Sequence, residues 1–471
     1  MRFLYQNVEI LFVLEDLMKM VSVHIELCTF AIISQKMICQ KFHLNELVYA
    51  RGYALIMENN QSIQIAQGYV VHLFREEMLL YHSERKYEYI GLTSTETDIT
   101  LAINELHDIN SVWRRLASYY NFNTNNEAAR TMYDTFINRM IEIGAFESGN
   151  ATLPIYGCAG KTYPMTLSVE LTDQCNFNCT HCYKNASGIN THFIDTDVAL
   201  KVFDDIADNV YSVDLTGGEA LLHPNLATIV RASRVPELNL LTNGSLLTKV
   251  SPDILHLFDD IQISLYGCSE NEYISTTRTH QFKNVCEGLR LIANENIPAT
   301  VTILLRQNNI KQIIGYISLL QELGIKRVRF GLTQKIGRNA GEISDWDVTY
   351  EDCEIFDKEL EKAKNEFPHM VFNRFDWRED FARPPLLPGP YKIGCGAGTK
   401  SIAVSEKGMV RPCVMLPAEF FEVYTWDEYW NAVTRGKSLD MTECVSNCFH
   451  AYGSLGKTID TICPLAFVPI D

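Results

Sequence analysis

The chain has 471 residues, 46% hydrophobic and 21% charged, enough to bury a sizeable core divided over two or three domains, so it is neither disordered nor fibrous. Its 58 Asp and Glu outnumber 41 Lys and Arg, a formal charge of −17, which argues against nonspecific nucleic-acid or anionic-membrane binding as its main task. Fourteen cysteines in so long a chain point to bound metal or reducing surroundings rather than a disulfide scaffold, and a cytoplasmic protein is expected.

Residues 1–45 are apolar but interrupted by Glu15, Asp16, Lys19, His24, Glu26 and Lys36. No uncharged run reaches the roughly 20 residues of a membrane helix, and acidic residues sit where a signal peptide would be apolar. The segment is left unassigned, and no membrane association is expected. From 46 to 148, extended pieces such as YALIME and KYEYIGL precede helical patterns at TDITLAINEL, INSVWRRLASYY and EAARTMYDTFINRMIEIGAF, the order of a small α+β domain. Turn-forming residues at 149–164 read as a linker.

Between 165 and 340, the β-rich runs TLSVEL, SVDLTGG, LNLLTNG, IQISLYG, ATVTILL and KRVRF alternate with helical patterns. Six strands separated by helices imply an α/β fold with a parallel sheet, in which ligands bind at the carboxyl ends of the strands. The first strand runs into CNFNCTHCY, which places Cys175, Cys179 and Cys182 in one compact loop. Such a loop can aim three thiolates at one iron–sulfur cluster and leave its fourth iron open. A zinc site would want a fourth protein ligand, and no nearby Cys/His pair supplies one. After the second strand, LTGGEALLHP carries Gly217, Gly218 and Glu219, where glycines admit close backbone approach and a carboxylate can pair with an ammonium group. Ser264 closes the fourth strand, with Arg278 beyond it. Asn243 in LTNGS is read first as a turn signal.

Residues 341–471 are irregular, with prolines at RPPLLPGPY and too little periodic apolar content to fold by core burial alone, so bound metal is a plausible stabiliser. Cys395 and Cys413 flank Gly408 in CGAGTKSIAVSEKGMVRPC, and Cys444, Cys448 and Cys463 follow.

These motifs resemble the radical S-adenosylmethionine (SAM) superfamily, whose hallmark is CxxxCxxC with an aromatic or similar ring before the last cysteine, the place His181 takes. The resemblance implies a partial (β/α)6 barrel. It further implies a [4Fe–4S] cluster on Cys175, Cys179 and Cys182 with SAM on the open iron, and a radical generated on the cofactor rather than by a catalytic side chain. Gly217, Gly218 and Glu219 then correspond to the motif that binds the SAM amino group, and Ser264 and Arg278 to polar contacts with its ribose and carboxylate; an arginine fork suits a carboxylate. The Cys395–Cys413 string is similar to the start of the SPASM extension of peptide-modifying members, especially the subtilosin-type (sactipeptide and ranthipeptide) thioether-forming maturases. One or two auxiliary clusters on Cys395, Cys413, Cys444, Cys448 and Cys463 follow from that likeness. The full motif has further cysteines near Ser454 and Thr458, so at least one auxiliary cluster would be missing, unusually ligated (His450 is a candidate) or open to a substrate thiolate. The alternative is a cluster-free domain with buried thiols. Residues 46–148 resemble, in pattern and size, a PqqD-like precursor-recognition domain. A winged-helix module has the same layout, but the segment holds no obvious basic recognition helix.

The expected function is oxidative linkage of cysteine sulfur to a carbon of another residue in a ribosomally made precursor peptide. The partners are that precursor and a reductase, flavodoxin or ferredoxin as electron donor, with no nucleic acid. Carbon–carbon cross-linking, epimerisation and formylglycine formation are rival radical reactions. A non-catalytic iron–sulfur sensor is the rival of another class, weakened because a sensor does not require the GGE motif, Ser264 and Arg278.

Overall fold

The computed structural model describes residues 62–74, 77–82, 85–159, 163–333, 337–339, 345–373, 401–411, 413–415 and 421–422. The expectations placed on residues 1–45 and on Cys395, Cys444, Cys448, His450 and Cys463 lie outside the described residues.

In chain order the first elements are β1 (Ile63–Ile65), β2 (Tyr69–Phe74), β3 (Glu77–His82), β4 (Arg85–Leu92), α1 (Ser94–Leu106), α2 (Ile109–Tyr119), α3 (Glu127–Glu142), β5 (Phe146–Ser148) and β6 (Ile155–Tyr156). Strands followed by three helices is the order expected from the sequence. Helix α1 starts at a capping box: Glu96 donates its amide to Thr93 Oγ1 at 3.4 Å, and the Thr93 amide donates to Glu96 Oε2 at 2.9 Å, which satisfies two otherwise orphaned donors. Its buried stripe of Ile99, Ala102 and Ile103 follows helical spacing, as do Val112, Trp113 and Leu116 of α2 and Tyr133, Phe136, Ile137 and Met140 of α3. Strand β1 pairs antiparallel with β5. The order of a four-stranded sheet is β4–β3–β2–β6, and Ile155 and Tyr156, in the stretch expected as a linker, pair parallel with Val71 and His72. Contacts divide the chain into two compact units; α1 to α3 and the β1–β5 pair belong to the first, and everything from residue 154 onward to the second.

The second unit is built on β7 (Thr166–Glu170), α4 (Thr196–Ile206), β8 (Ser212–Thr216), α5 (Leu226–Ala232), β9 (Glu237–Thr242), α6 (Pro252–Leu255), β10 (Asp260–Ser264), α7 (Glu270–Thr277), α8 (Phe282–Asn294), β11 (Ala299–Leu305), α9 (Ile313–Glu322), β12 (Arg327–Leu332), α10 (Tyr350–Glu366), β13 (Val371–Phe372), β14 (Ser401–Val404), β15 (Met409–Arg411) and β16 (Phe421–Glu422). The six runs read from the sequence are β7 to β12, and they lie side by side in chain order, each parallel to the next. Their apolar residues are buried on both faces: Leu167, Val169, Val213, Leu215, Leu240, Ile261, Ile263, Val301 and Ile303 are all fully covered, each contributing about 2 kcal/mol relative to exposure. The sequence reading did not place β14, which adds parallel to β7 at the far edge and turns back antiparallel into β15.

Parallel order brings the carboxyl ends of all six strands to one edge of the sheet. The cysteine loop follows β7, the GGE turn β8, Asn243 β9, Ser264 closes β10, and Arg306 follows β11. The ligand side of such a sheet is therefore fixed by topology before any side chain is considered.

Candidate functional site: a thiol loop at the carboxyl edge of the sheet

The loop after β7 is held by its own residues and by three neighbours. Phe177, between the first two cysteines, is 2% exposed and meets Tyr273 edge-on at 6.0 Å, so the loop is anchored in the core. The returning chain accepts the Cys175 amide at Ser187 O, 3.0 Å, and the Asp173 amide at His192 O, 3.2 Å. The end of α7 accepts the amides of Asn178 and Thr180 at the carbonyls of Thr277 and Thr276. Finally, Arg338 donates its amide to Cys182 O at 3.0 Å, Nε to Cys179 O at 2.7 Å and Nη2 to Ala186 O at 2.8 Å.

Cys175 and Cys179 are buried and Cys182 is half-buried. Burial, with the charge of Glu219 adding to it, pushes the Cys175 thiol up to about 12, and burial beside the other two thiols raises Cys179 further. Thiolates in such a place form only against a bound cation. The Cys175 sulfur accepts the Phe177 amide at 3.4 Å and the Asn243 amide group at 3.9 Å, the kind of N–H donation that tunes iron–sulfur sites. Among the described residues no three His, Cys, Asp or Glu side chains converge on a single-ion position; a cube of four irons spreads its thiolates wider than a lone ion does. An all-sulfur set of three on one loop, two of them buried and one supplied with N–H donors, fits an iron–sulfur cluster with one iron left open.

The GGE turn lies directly against this loop. Gly217 has φ +136°, and a Cβ there would sit 2.5 Å from Thr172 O; a Cβ on Gly218 would sit 2.2 Å from Gln174 O. The Gly218 amide donates to Thr172 O at 2.7 Å and the Glu219 amide to Gln174 O at 2.8 Å. The glycines are thus required for docking of one loop on the other, a reason beyond ligand approach. Glu219 is 1% exposed. Its Oε1 accepts from Thr242 Oγ1 at 2.6 Å and the Leu221 amide at 3.1 Å, and its Oε2 from the Asn243 amide at 2.8 Å. Burial raises its pKa against these three donors. With its oxygens engaged by the protein, the carboxylate ties β8 to β9 and orients the turn.

Asn243 does more than shape a turn. Its Nδ2 donates to Asn176 Oδ1 at 2.9 Å, and its Oδ1 accepts from Ser245 Oγ at 2.7 Å, while Asn176 Nδ2 donates to Ser245 Oγ at 2.8 Å. His181 is packed between Tyr266 and Trp346, ring centroids 4.8 and 4.3 Å away, and the Trp346 Nε1 donates to Thr180 Oγ1 at 3.2 Å. Burial, then the charges of Arg306 and Arg338, lower the His181 pKa to about 3, so the ring is neutral. Its buried Nδ1 has no protein partner.

Ser264 is half-buried at the end of β10, where it hydrogen-bonds Tyr266. Arg278 is the left-handed residue that caps α7, with an exposed side chain; it directly follows the two carbonyls that hold the cysteine loop. Cys413 follows β15, and its sulfur accepts the Met415 amide at 3.4 Å. Asn176, Asn243, Ser245, Arg338 and Trp346 are site residues that the sequence reading did not assign.

A parallel α/β sheet thus opens at its first strand into a loop of three thiols, with a GGE turn docked against it at the edge where α/β folds bind their ligands. Residues 169–320 match the model of the radical SAM superfamily, and the chain carries a radical SAM domain over that span. It is 25% identical over 347 residues to the antilisterial bacteriocin subtilosin biosynthesis protein AlbA of Bacillus subtilis, covering 71% of this chain and 74% of that protein. It is 24% identical over 247 residues to the sporulation killing factor maturation protein SkfB of the same organism, half of this chain and 60% of that one. In fold it is similar to Streptococcus suis SuiB bound to its precursor peptide SuiA, with a TM-score of 0.57 at 13% identity over 86% of this chain and 96% of that chain. Among the described residues no helix is long and apolar enough to cross a membrane.

Proposed function

We propose that the protein is a radical SAM maturase of a ribosomally synthesised peptide and forms thioether cross-links from cysteine sulfur to a carbon of another residue. The observation that carries this reading is the extent of similarity to AlbA: 347 residues, well beyond the span of the radical SAM domain. The likeness in fold to a protein bound to its precursor peptide supports a peptide partner, with the N-terminal strands and three helices as the leader-binding element. Cys175, Cys179 and Cys182 hold the [4Fe–4S] cluster. Gly217, Gly218 and Glu219 shape the pocket for the SAM amino group, Ser264 and Arg278 contact its ribose and carboxylate, and a flavodoxin, ferredoxin or reductase delivers the electron. Cys395, Cys413, Cys444, Cys448 and Cys463 serve one or two auxiliary clusters.

When bound, the cluster and SAM supply the one-electron chemistry that takes a hydrogen atom from the peptide. The chain's own residues bind, orient and exclude water. Phe177, Tyr266, Trp346 and neutral His181 wall the thiol loop with rings, and Arg338 fixes its carbonyls. Fixed geometry of this kind would hold one carbon of the peptide at the reacting position and keep the surrounding side chains away from it.

Replacing C–H and S–H by C–S leaves the peptide lighter by two hydrogens per bridge. Precursor co-expressed with the enzyme is expected to show that loss by tandem mass spectrometry and to resist both reducing agents and iodoacetamide. A two-hydrogen loss that persists when every precursor cysteine is changed to alanine would move the reaction to carbon–carbon linkage, and an unchanged mass with deuterium gained from solvent would move it to epimerisation.

A further inference from the structure

Two segments far apart in sequence meet through buried charge. Glu170, the last residue of β7, is fully covered. Its Oε2 accepts from Arg411 Nη1 at 2.5 Å, and Lys184 Nζ lies 2.9 Å from its Oε1, out of line for a hydrogen bond. Lys184 also donates to Glu406 Oε2 at 2.6 Å, and Arg411 Nη2 donates to Val414 O at 3.3 Å. The side chains of Lys184, Glu406 and Arg411 are no more than 10% exposed. Two acids and two bases balance to zero charge.

The positions of these four matter as much as their charges. Lys184 stands two residues after Cys182, Arg411 two before Cys413, and Glu406 in the turn between β14 and β15. Removing one partner of a buried pair leaves the other uncompensated, and an apolar pair in its place keeps the burial but not the directed contacts between the two segments. The set therefore tolerates one arrangement: lifting the hairpin strands Lys184 and Glu170 without their partners, and releasing the cysteine loop strands Glu406.

We propose that Glu170, Lys184, Glu406 and Arg411 are positioning residues that lock the cysteine loop to the turn carrying Cys413, so that ordering either segment orders the other. The proposal deepens the reading above and rests on it for the consequence that loading the triad with a cluster prepares Cys413 for its own.

Hydrogen exchange measured by mass spectrometry on the full chain tests the lock without any cluster. Glu406→Gln is expected to raise exchange at least about tenfold in residues 175–187 and in 411–415 together, with α8 unchanged. Faster exchange confined to the hairpin, or none, would overturn the proposal. If α8 also loses protection, the variant has unfolded, and the volume-conserving pair Lys184→Met with Glu406→Leu takes its place. In a Cys413→Ser background, adding iron and sulfide to the triad is then expected to slow exchange at 411–415, and the paired variant is expected to abolish that slowing while still taking up iron. Slowing that survives in the paired variant would refute the coupling. A triad that takes up no iron would instead refute the cluster reading, with the first measurement still deciding the lock.

Discussion

Changing Cys175, Cys179 and Cys182 to alanine is expected to remove one cluster's iron and sulfide from the reconstituted protein and to lower formation of 5′-deoxyadenosine from SAM by at least about a thousandfold, to background. The magnitude follows from the division of labour: the hard step belongs to the cofactor, and no side chain near it offers another route. The thiols are also poor ligands one at a time. Burial holds Cys175 near 12 and Cys179 higher, so each thiolate depends on the cation that the other two help to bind, and a single replacement should cost nearly as much as all three. Anaerobic reconstitution, iron and sulfide analysis and chromatography of the nucleoside products give the answer. Cleavage undiminished in the triple variant would sink the assignment of the triad.

Gly218→Ala should be nearly as damaging without touching a thiol. Its Cβ would stand 2.2 Å from the carbonyl oxygen and 2.6 Å from the carbonyl carbon of Gln174, backbone atoms that cannot rotate away. The turn or the cysteine loop must move, and with it go the two amide bonds from Gly218 and Glu219 to Thr172 and Gln174. A loss of about 3 kcal/mol is expected, a fall in Tm of roughly 6–12 °C for a domain of this size, together with reduced iron uptake because the displaced segment leads straight into Cys175. Gly188→Ala is the control. It lies in the same loop, where a new Cβ would make only an ordinary contact, 3.8 Å from Cys175 O, and its effect should stay within about 0.5 kcal/mol. Equal melting temperatures for the two variants would show that the docking of the GGE turn on the loop is not what those glycines serve.

The features legible in the sequence were those with local signatures. Six β-rich runs alternating with helical patterns pointed to the parallel sheet, because strands covered on both faces are rich in apolar and β-branched residues, as in ATVTILL. The three cysteines and the GGE turn were legible because each sits within a few residues of a strand end. What escaped depends on partners distant in the chain. Asn243 reads as a turn former, and only the fold reveals its amide beside Cys175. Arg338 has no local mark at all, yet its side chain holds two carbonyls of a loop more than 150 residues earlier. Glu170 did leave a trace: an acid closing an otherwise buried strand must find a counter-charge. The protein partners of Glu219 escaped for the same reason, since Thr242 and the Asn243 amide come from the next strand and its end.

The pairing of β14 with β7 bears on how the protein is made. Strand β7 emerges from the ribosome early, finds β8 soon afterwards, and then waits on its other edge for a strand encoded far downstream. Until then a row of unsatisfied amides and carbonyls, backed by Leu167 and Val169, faces solvent and any neighbouring nascent chain. Because distant strands close slowly, premature termination ahead of Ser401 should yield insoluble product even though the sequence from β7 to β12 is complete. Chaperone supply during synthesis, rather than cofactor supply afterwards, would then set the yield of usable protein.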